Sequence, residues 1–197
     1  MTSRQPTLGF ELLATCPRTG ARAGVLHTAH GPVPTPAFMP VGTQGTVKAL
    51  LPGELDEMGV RCLLSNAYHL HLRPGEDLVR QAGGLHRFMN WPHAILTDSG
   101  GYQVFSLQEL RHVDDEGVTF QSHLDGSTHH FTPEGVIAIQ EALGADIIVP
   151  LDEPVGYPAD REVARVAQER SDAWALRSLA ARRREDQMLF AIVHGAC

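Results

Sequence analysis

The feature that most restricts this chain is a rhythm. Short, continuous apolar runs recur at residues 37–41 (AFMPV), 62–64 (CLL), 94–96 (AIL), 147–149 (IIV) and 189–193 (LFAIV), with helical signals between them. A strand with one wet face alternates apolar and polar residues. A run without alternation suits a strand covered on both faces, as in a parallel sheet whose crossovers are helices. The stretches between carry the matching punctuation. Residues 52–59 (PGELDEMG) place acids in a first turn and Gly at the end, and residues 74–82 repeat that pattern before Gly83-Gly84. Thr132 reads as an N-cap with Pro133 at the first helical position, apolar Val136, Ile137, Ile139 and Leu143, and a closing Gly144. Residues 160–184 form the longest helical stretch, with Val163, Val166, Ala167, Trp174 and Leu176 as its expected inner face. Residues 113–131 break the rhythm: Gly117 and Asp125-Gly126 mark a small antiparallel β excursion.

Strand and helix alternating in this way predict an α/β fold with a parallel sheet. The choice lies between an open doubly wound sheet and a (β/α)8 barrel. No G-x-G-x-x-G and no Walker lysine loop is present, so nothing points to the phosphate site of a doubly wound fold. The strand ends favour the barrel. They read Ser65-Asn66, Thr97-Asp98, Asp152-Glu153 and His194-Gly195, and polar residues at successive strand C-termini are how barrels build their sites. Five strands are fewer than eight, and a whole barrel usually takes about 250 residues. The expectation is an incomplete TIM barrel, with residues 1–197 the N-terminal part of a single catalytic domain.

Composition narrows the classes. A formal net charge of −7 argues against indiscriminate nucleic-acid binding, though not against a local basic patch. No run approaches the roughly 18 apolar residues of a membrane span. The first 20 residues have no apolar segment of the signal-peptide type, and Cys16, Cys62 and Cys197 make no C-x-x-C, so a reducing cytoplasm is expected.

The stretch ILTDSGGYQ carries the chemistry. A carboxylate, Asp98, arrives where the apolar run stops, followed by Ser99, Gly100, Gly101 and Tyr102. An acid at a barrel mouth is partly desolvated and suits general acid/base work. The paired glycines admit a flat ligand, and the tyrosine offers a stacking face. The plain alternative is an Asp-Gly turn. Asp152 closes a similar run and can accept two hydrogen bonds from a planar amidine-like edge, or else cap the helix downstream. Asn66 can bond a ligand or fix its own turn. His69 and His71, and likewise His129-His130, lack further ligands at metalloprotease or zinc-finger spacing, so no metal site is expected from them. Arg182-Arg183-Arg184 suit the dipole at a helix end.

With TPAFMPVGTQGTVKAL, LLSNAYHLHLRPG, GGLHRFMNW and the HLDGS…FTPEGVIAIQEALGADI stretch, ILTDSGGYQVFSL resembles the tRNA-guanine transglycosylase family, the queuine tRNA-ribosyltransferases. The resemblance covers nearly all of the chain in order. It implies a (β/α)8 barrel that exchanges guanine at the anticodon wobble position of tRNA for a 7-deazaguanine base in queuosine biosynthesis. It implies Asp98 as general acid/base, Ser99, Gly100, Gly101 and Tyr102 as the base-binding loop, and Asp152 as the acid that reads the guanine-like edge. Two departures stand out. The family has Gln-Gly after FAIV, where this chain has His194-Gly195; His194 would face the base with one ring donor and one acceptor in place of an amide. The ribose nucleophile, the tRNA-gripping surface and a three-Cys, one-His zinc site belong to the family's C-terminal part, so no cofactor is expected within these residues. Expected partners are tRNA and guanine or a 7-deazaguanine, with homodimerisation of a full-length form left open. A non-catalytic accessory subunit is the alternative, and a glycosidase using Asp98 and Asp152 a more distant one.

Overall fold

The computed structural model describes residues 8–107 and 111–194. Its centre is a parallel sheet built from β4 (Cys62–Asn66), β5 (Ala94–Asp98), β9 (Ile147–Ile148) and β10 (Met188–Leu189). The spatial order is β4, β5, β9, β10, and Val41 bridges in parallel to Leu64 on the outer side of β4. Each unit is therefore added beside the previous one, in one direction. A doubly wound sheet reverses its order at a switch point. This sheet has no reversal among the described residues and runs as a barrel wall does.

Burial explains the apolar runs. In β4 four of five residues are buried, and in β5 three of five, so both faces are covered. The helices that cover them fall where the punctuation predicts: α1 (Pro52–Glu57), α3 (Glu76–Gln81), α6 (Pro133–Leu143) and α7 (Arg161–Ala181). Thr132 caps α6, its Oγ1 accepting from Gly135 N at 3.0 Å, and Gly144 closes it at φ 77°. Three further short helices, α2 (Ala67–Leu72), α4 (Leu85–Met89) and α5 (Gly101–Leu107), were not anticipated. The excursion is a three-stranded antiparallel sheet of β6 (Arg111–Val113), β7 (Val118–Gln121) and β8 (Thr128–Phe131), with Gly126 at φ 75° in the Asp-Gly turn.

Three expectations need correcting. Of the inner face expected for α7, Ala167 and Trp174 are buried, but Ser171 and Ser178 complete the helical stripe, while Val163 and Leu176 are more than half exposed and Val166 is exposed too. Small residues let the helix lie close, and Trp174 anchors it through Nε1 donating to Asp115 O at 2.8 Å. Residues 37–41 contribute one bridge at Val41, not a strand. A second antiparallel sheet was missed: β1 (Gly9–Thr15), β2 (Arg22–Thr28) and β3 (Gly31–Thr35). Leu26 and Val33 of that sheet pack with Cys62, Ala94 and Ile147 at the strand-start end of the parallel sheet. No described helix is long and apolar enough to cross a membrane.

Candidate active site

The β4–β5 ladder runs in register from Cys62–Ala94 to Asn66–Asp98, which sets Asn66 beside Asp98 at the strand ends. The Asn66 amide donates to Asp98 Oδ2, Gln103 Nε2 donates to the same oxygen at 2.9 Å, and Ala67 N donates to Oδ1 at 3.0 Å. Asn66 occupies the N-cap position of α2 but makes no capping bond; the acid of the next strand takes the first helical N–H instead. Burial pushes the Asp98 carboxyl above the usual carboxylate range, although Asn66, Gln103 and the backbone of Ala67 and Gly100 all pull it down. Every donor here is neutral, and in this site their bonds do not offset the loss of water.

Asp152 meets Asp98 through the loop between them. Ser99, buried, donates from Oγ to Asp152 Oδ1 at 3.3 Å. A Cβ on Gly101 would lie 2.5 Å from that same Oδ1 and 2.6 Å from the Asp152 carbonyl oxygen. A Cβ on Gly100, at φ +86°, would lie 2.9 Å from Tyr68 Cβ and 3.1 Å from Phe131 Cε2. The two glycines thus make room for protein: the first seats the chain against Tyr68 and Phe131, the second lets Asp152 press onto the loop. Burial raises the Asp152 carboxyl as well, against the pull of His194 and Ser99. His194 Nε2 is 3.2 Å from Asp152 Oδ2, within ion-pair distance yet not aligned for a hydrogen bond, and it is a buried atom with no bonded partner among the described residues.

Asn66 therefore joins Asp98, and Ser99, Gly101 and His194 gather on Asp152. Tyr102 stands in the first turn of α5, two-thirds exposed, outside the bonded network. Gly195 and Cys197 lie outside the described residues. Sequence reasoning gave no role to Gln103, the last residue of the quoted stretch, although an amide five positions after the acid can reach back to it on the turn of α5. Tyr68 was missed too. It is fully buried, and its hydroxyl pairs with His123 Nδ1 at 2.9 Å, fastening the β7–β8 turn to α2. Of the histidine pairs noted in the sequence, one member of each meets in a hydrogen-bonded chain: His71 bonds Glu76 at 2.8 Å and His129 at 3.0 Å, and His129 bonds Ser127 at 2.8 Å, while His130 pairs with Thr119 Oγ1 at 2.9 Å.

A family model described as queuine tRNA-ribosyltransferase matches residues 16–197. The chain is 59% identical over 171 residues to the queuine tRNA-ribosyltransferase of Solibacter usitatus, covering 86% of this chain and 45% of the relative. It is 56% identical to that of Acetivibrio thermocellus, covering 94% of the chain and 50% of the relative. For Moorella thermoacetica the figures are 55% identity, 96% and 51%. The chain belongs to the queuine tRNA-ribosyltransferase family. It spans about half the length of these curated relatives.

The three-Cys, one-His set that this family implies for zinc is not assembled among the described residues: Cys16, after β1, and Cys62, in β4, are both free and lie at separate sheets. Cys62 is buried, and burial pushes its thiol up to about 12, far from the thiolate that zinc requires. One described group has metal-ligand composition: His30, His86 and Asp146. Its geometry is that of a hydrogen-bonded clasp. His30 Nδ1 bonds Asp146 Oδ1 at 2.8 Å, His86 Nε2 bonds Oδ2 at 2.9 Å, and the two rings stack at 3.5 Å with planes 13° apart. An ion shared by both rings at ~2.1 Å would lie roughly 1.7 Å out of each ring plane, far off the lone pairs. Burial would raise Asp146, but bonds from His30, His86 and Ile95 N overcome it and hold the carboxyl well below the usual range.

Proposed function

We propose that these residues are the base-binding part of a tRNA-guanine transglycosylase built on a (β/α)8 barrel, which exchanges guanine at the wobble position of tRNA for a 7-deazaguanine. The observation that carries the reading is the pair of desolvated acids, Asp98 and Asp152, joined through Ser99 and Gly101 at one end of a parallel sheet. Asp152 offers two carboxylate oxygens to the N1–H and N2–H edge of a guanine-like base, and those donors stabilise its charged form. Asp98, raised by burial, holds a proton at a higher pH than an ordinary carboxyl and can return it to the departing base. Tyr102 stays exposed until a base covers it. A base in a polynucleotide must leave its stack to reach such a site. The ribose nucleophile, the tRNA-gripping surface and the zinc site fall in the part of the family that these residues do not cover.

The test is calorimetric titration of the chain with guanine. Binding is expected, weakening as pH falls through the raised range of Asp152, and weakened at least tenfold in Asp152→Asn, the usual effect of losing a charged partner. Labelled guanine is not expected to enter tRNA with these residues alone. Binding unaffected by Asp152→Asn removes the recognition role; no binding at all by the unaltered chain favours the accessory-subunit reading.

A further inference from the structure

The two acids are held by different means. Asp98 is reached by a full ladder from β4, whereas β5 pairs with β9 at a single position, Leu96 with Ile147, backed by Asp146 N donating to Ile95 O at 2.9 Å. Beyond that pair, towards the acids, β9 ends and the β5–β9 backbone pairing stops. A side chain from α6 fills the gap. Gln140 is fully buried; its Oε1 accepts from Val149 N at 3.1 Å, and its Nε2 donates to Val149 O at 2.8 Å. One amide thus gives Val149 the donor and acceptor that a neighbouring strand would give. The same Oε1 accepts from Thr97 Oγ1 at 3.1 Å, one residue before Asp98. The second amide hydrogen goes to Val136 O at 3.3 Å, so both donors and both lone pairs of the amide are used. Val149's own N–H and C=O dictate which end of the amide is oxygen. The backbone of Gln140 is itself held, its carbonyl accepting from Gln187 Nε2 at 3.4 Å.

We infer that Gln140 is a positioning residue: its amide sets Thr97-Asp98 against the Val149–Asp152 segment in place of the absent strand ladder. Its meaning for function rests on the reading of the two acids as the base site; its geometry does not. An ordinary buried glutamine that merely ties a helix to a sheet would affect stability without moving the acids. The two roles separate in carboxyl-carbon NMR titrations of Asp98 and Asp152, run beside guanine titrations, on the unaltered chain, Gln140→Leu, Thr97→Val and Thr97→Ser.

Gln140→Leu is expected to bring both carboxyls back towards the ordinary range as water enters, and to weaken guanine binding by roughly tenfold or more, given how steeply misplacement acts. Thr97→Val, which keeps shape and loses the hydroxyl, is expected to shift Asp98 and leave Asp152; Thr97→Ser, which keeps the hydroxyl, is expected to leave both where they are in the unaltered chain. A folded Thr97→Val chain with an unmoved Asp98, or a folded Gln140→Leu chain with both acids unmoved, overturns the inference. If Gln140→Leu does not fold, the Thr97 pair decides. If the unaltered chain binds no guanine, the functional reading fails while the carboxyl titrations still judge Gln140.

Discussion

One strand, β5, touches two buried carboxylate clusters that behave oppositely. At its start, Ile95 N donates to Asp146 Oδ2 at 2.9 Å, beside the stacked pair His30 and His86. At its end stands Asp98, among Asn66, Gln103 and Ala67 N. Both acids have lost water. Asp146 is driven down and Asp98 up. The difference lies in the donors. Two imidazoles that can carry charge, with two backbone N–H groups, fill the lone pairs of Asp146. Asp98 has neutral donors alone. Asp146, matched by ionisable donors, is held as the carboxylate; Asp98, matched by neutral groups and raised by burial, takes a proton more readily. On the function proposed above, that division matches the usual assignment of barrel ends, with stability at the strand starts and chemistry at the strand ends.

The comparison breaks first at Asp146. Asp146→Ala strands four donors in the interior and is expected to cost roughly 3–5 kcal/mol in urea unfolding. A loss under about 1 kcal/mol would mean that the clasp carries no net stability. The converse substitution sharpens the contrast. A carboxyl whose folded pKa is raised binds its proton more tightly in the folded state, so its stability contribution declines as pH rises through the raised range and is a cost at neutrality. Asp98→Asn removes that cost. Gln103 Oε1, buried without a partner, can turn to accept from the new amide. The variant is expected to gain roughly 0.5–2 kcal/mol at pH 7 while losing acid/base function. A destabilised Asp98→Asn would show that the neutral donors outweigh burial after all.

The smallest effect concerns His30. Its ring is raised above the ordinary value by its bond to Asp146, against burial. A raised imidazole contributes stability that is complete below its unfolded value and fades as pH rises through its folded one. His30→Ala should therefore differ most from the unaltered chain in mildly acidic buffer and least in alkaline buffer, as followed by melting midpoints across pH. A difference that grew towards alkaline pH would reverse the assignment.

Much of this was legible in the chain. The unalternating runs at 62–64, 94–96 and 147–149 gave parallel strands because burial on both faces demands apolar residues. The run at 37–41, in contrast, supplies a single bridge and 189–193 only Leu189, with Phe190 and Val193 exposed. Thr132, Pro133 and Gly144 marked α6 because capping is local chemistry. Asp98 and Asp152 stood out because an acid is conspicuous where an apolar run ends. What failed was tertiary. The inner face of α7 keeps Ala167 and Trp174 but is completed by Ser171 and Ser178, since close approach selected size over apolarity, and the more hydrophobic Val163, Val166 and Leu176 stay outside. The β1–β3 sheet escaped notice because Phe10, Leu12 and Leu13 remain exposed on a strand whose pattern does not alternate, and Pro32 and Pro34 interrupt β3. Gln140 looked like one polar residue on a helix; only its partners disclose its work. The glycines were noticed for a ligand, whereas the room they make is taken by Tyr68, Phe131 and Asp152.

That last point reaches into heredity. A methyl at 101 would collide with the carbonyl oxygen of residue 152 as well as with its carboxylate, so changing the acid alone does not release the glycine. A lineage can lose the carboxylate and still be bound to glycine. Alanine or anything larger at 101 is thus a written sign, readable from genes alone, that the main chain at 152 has moved.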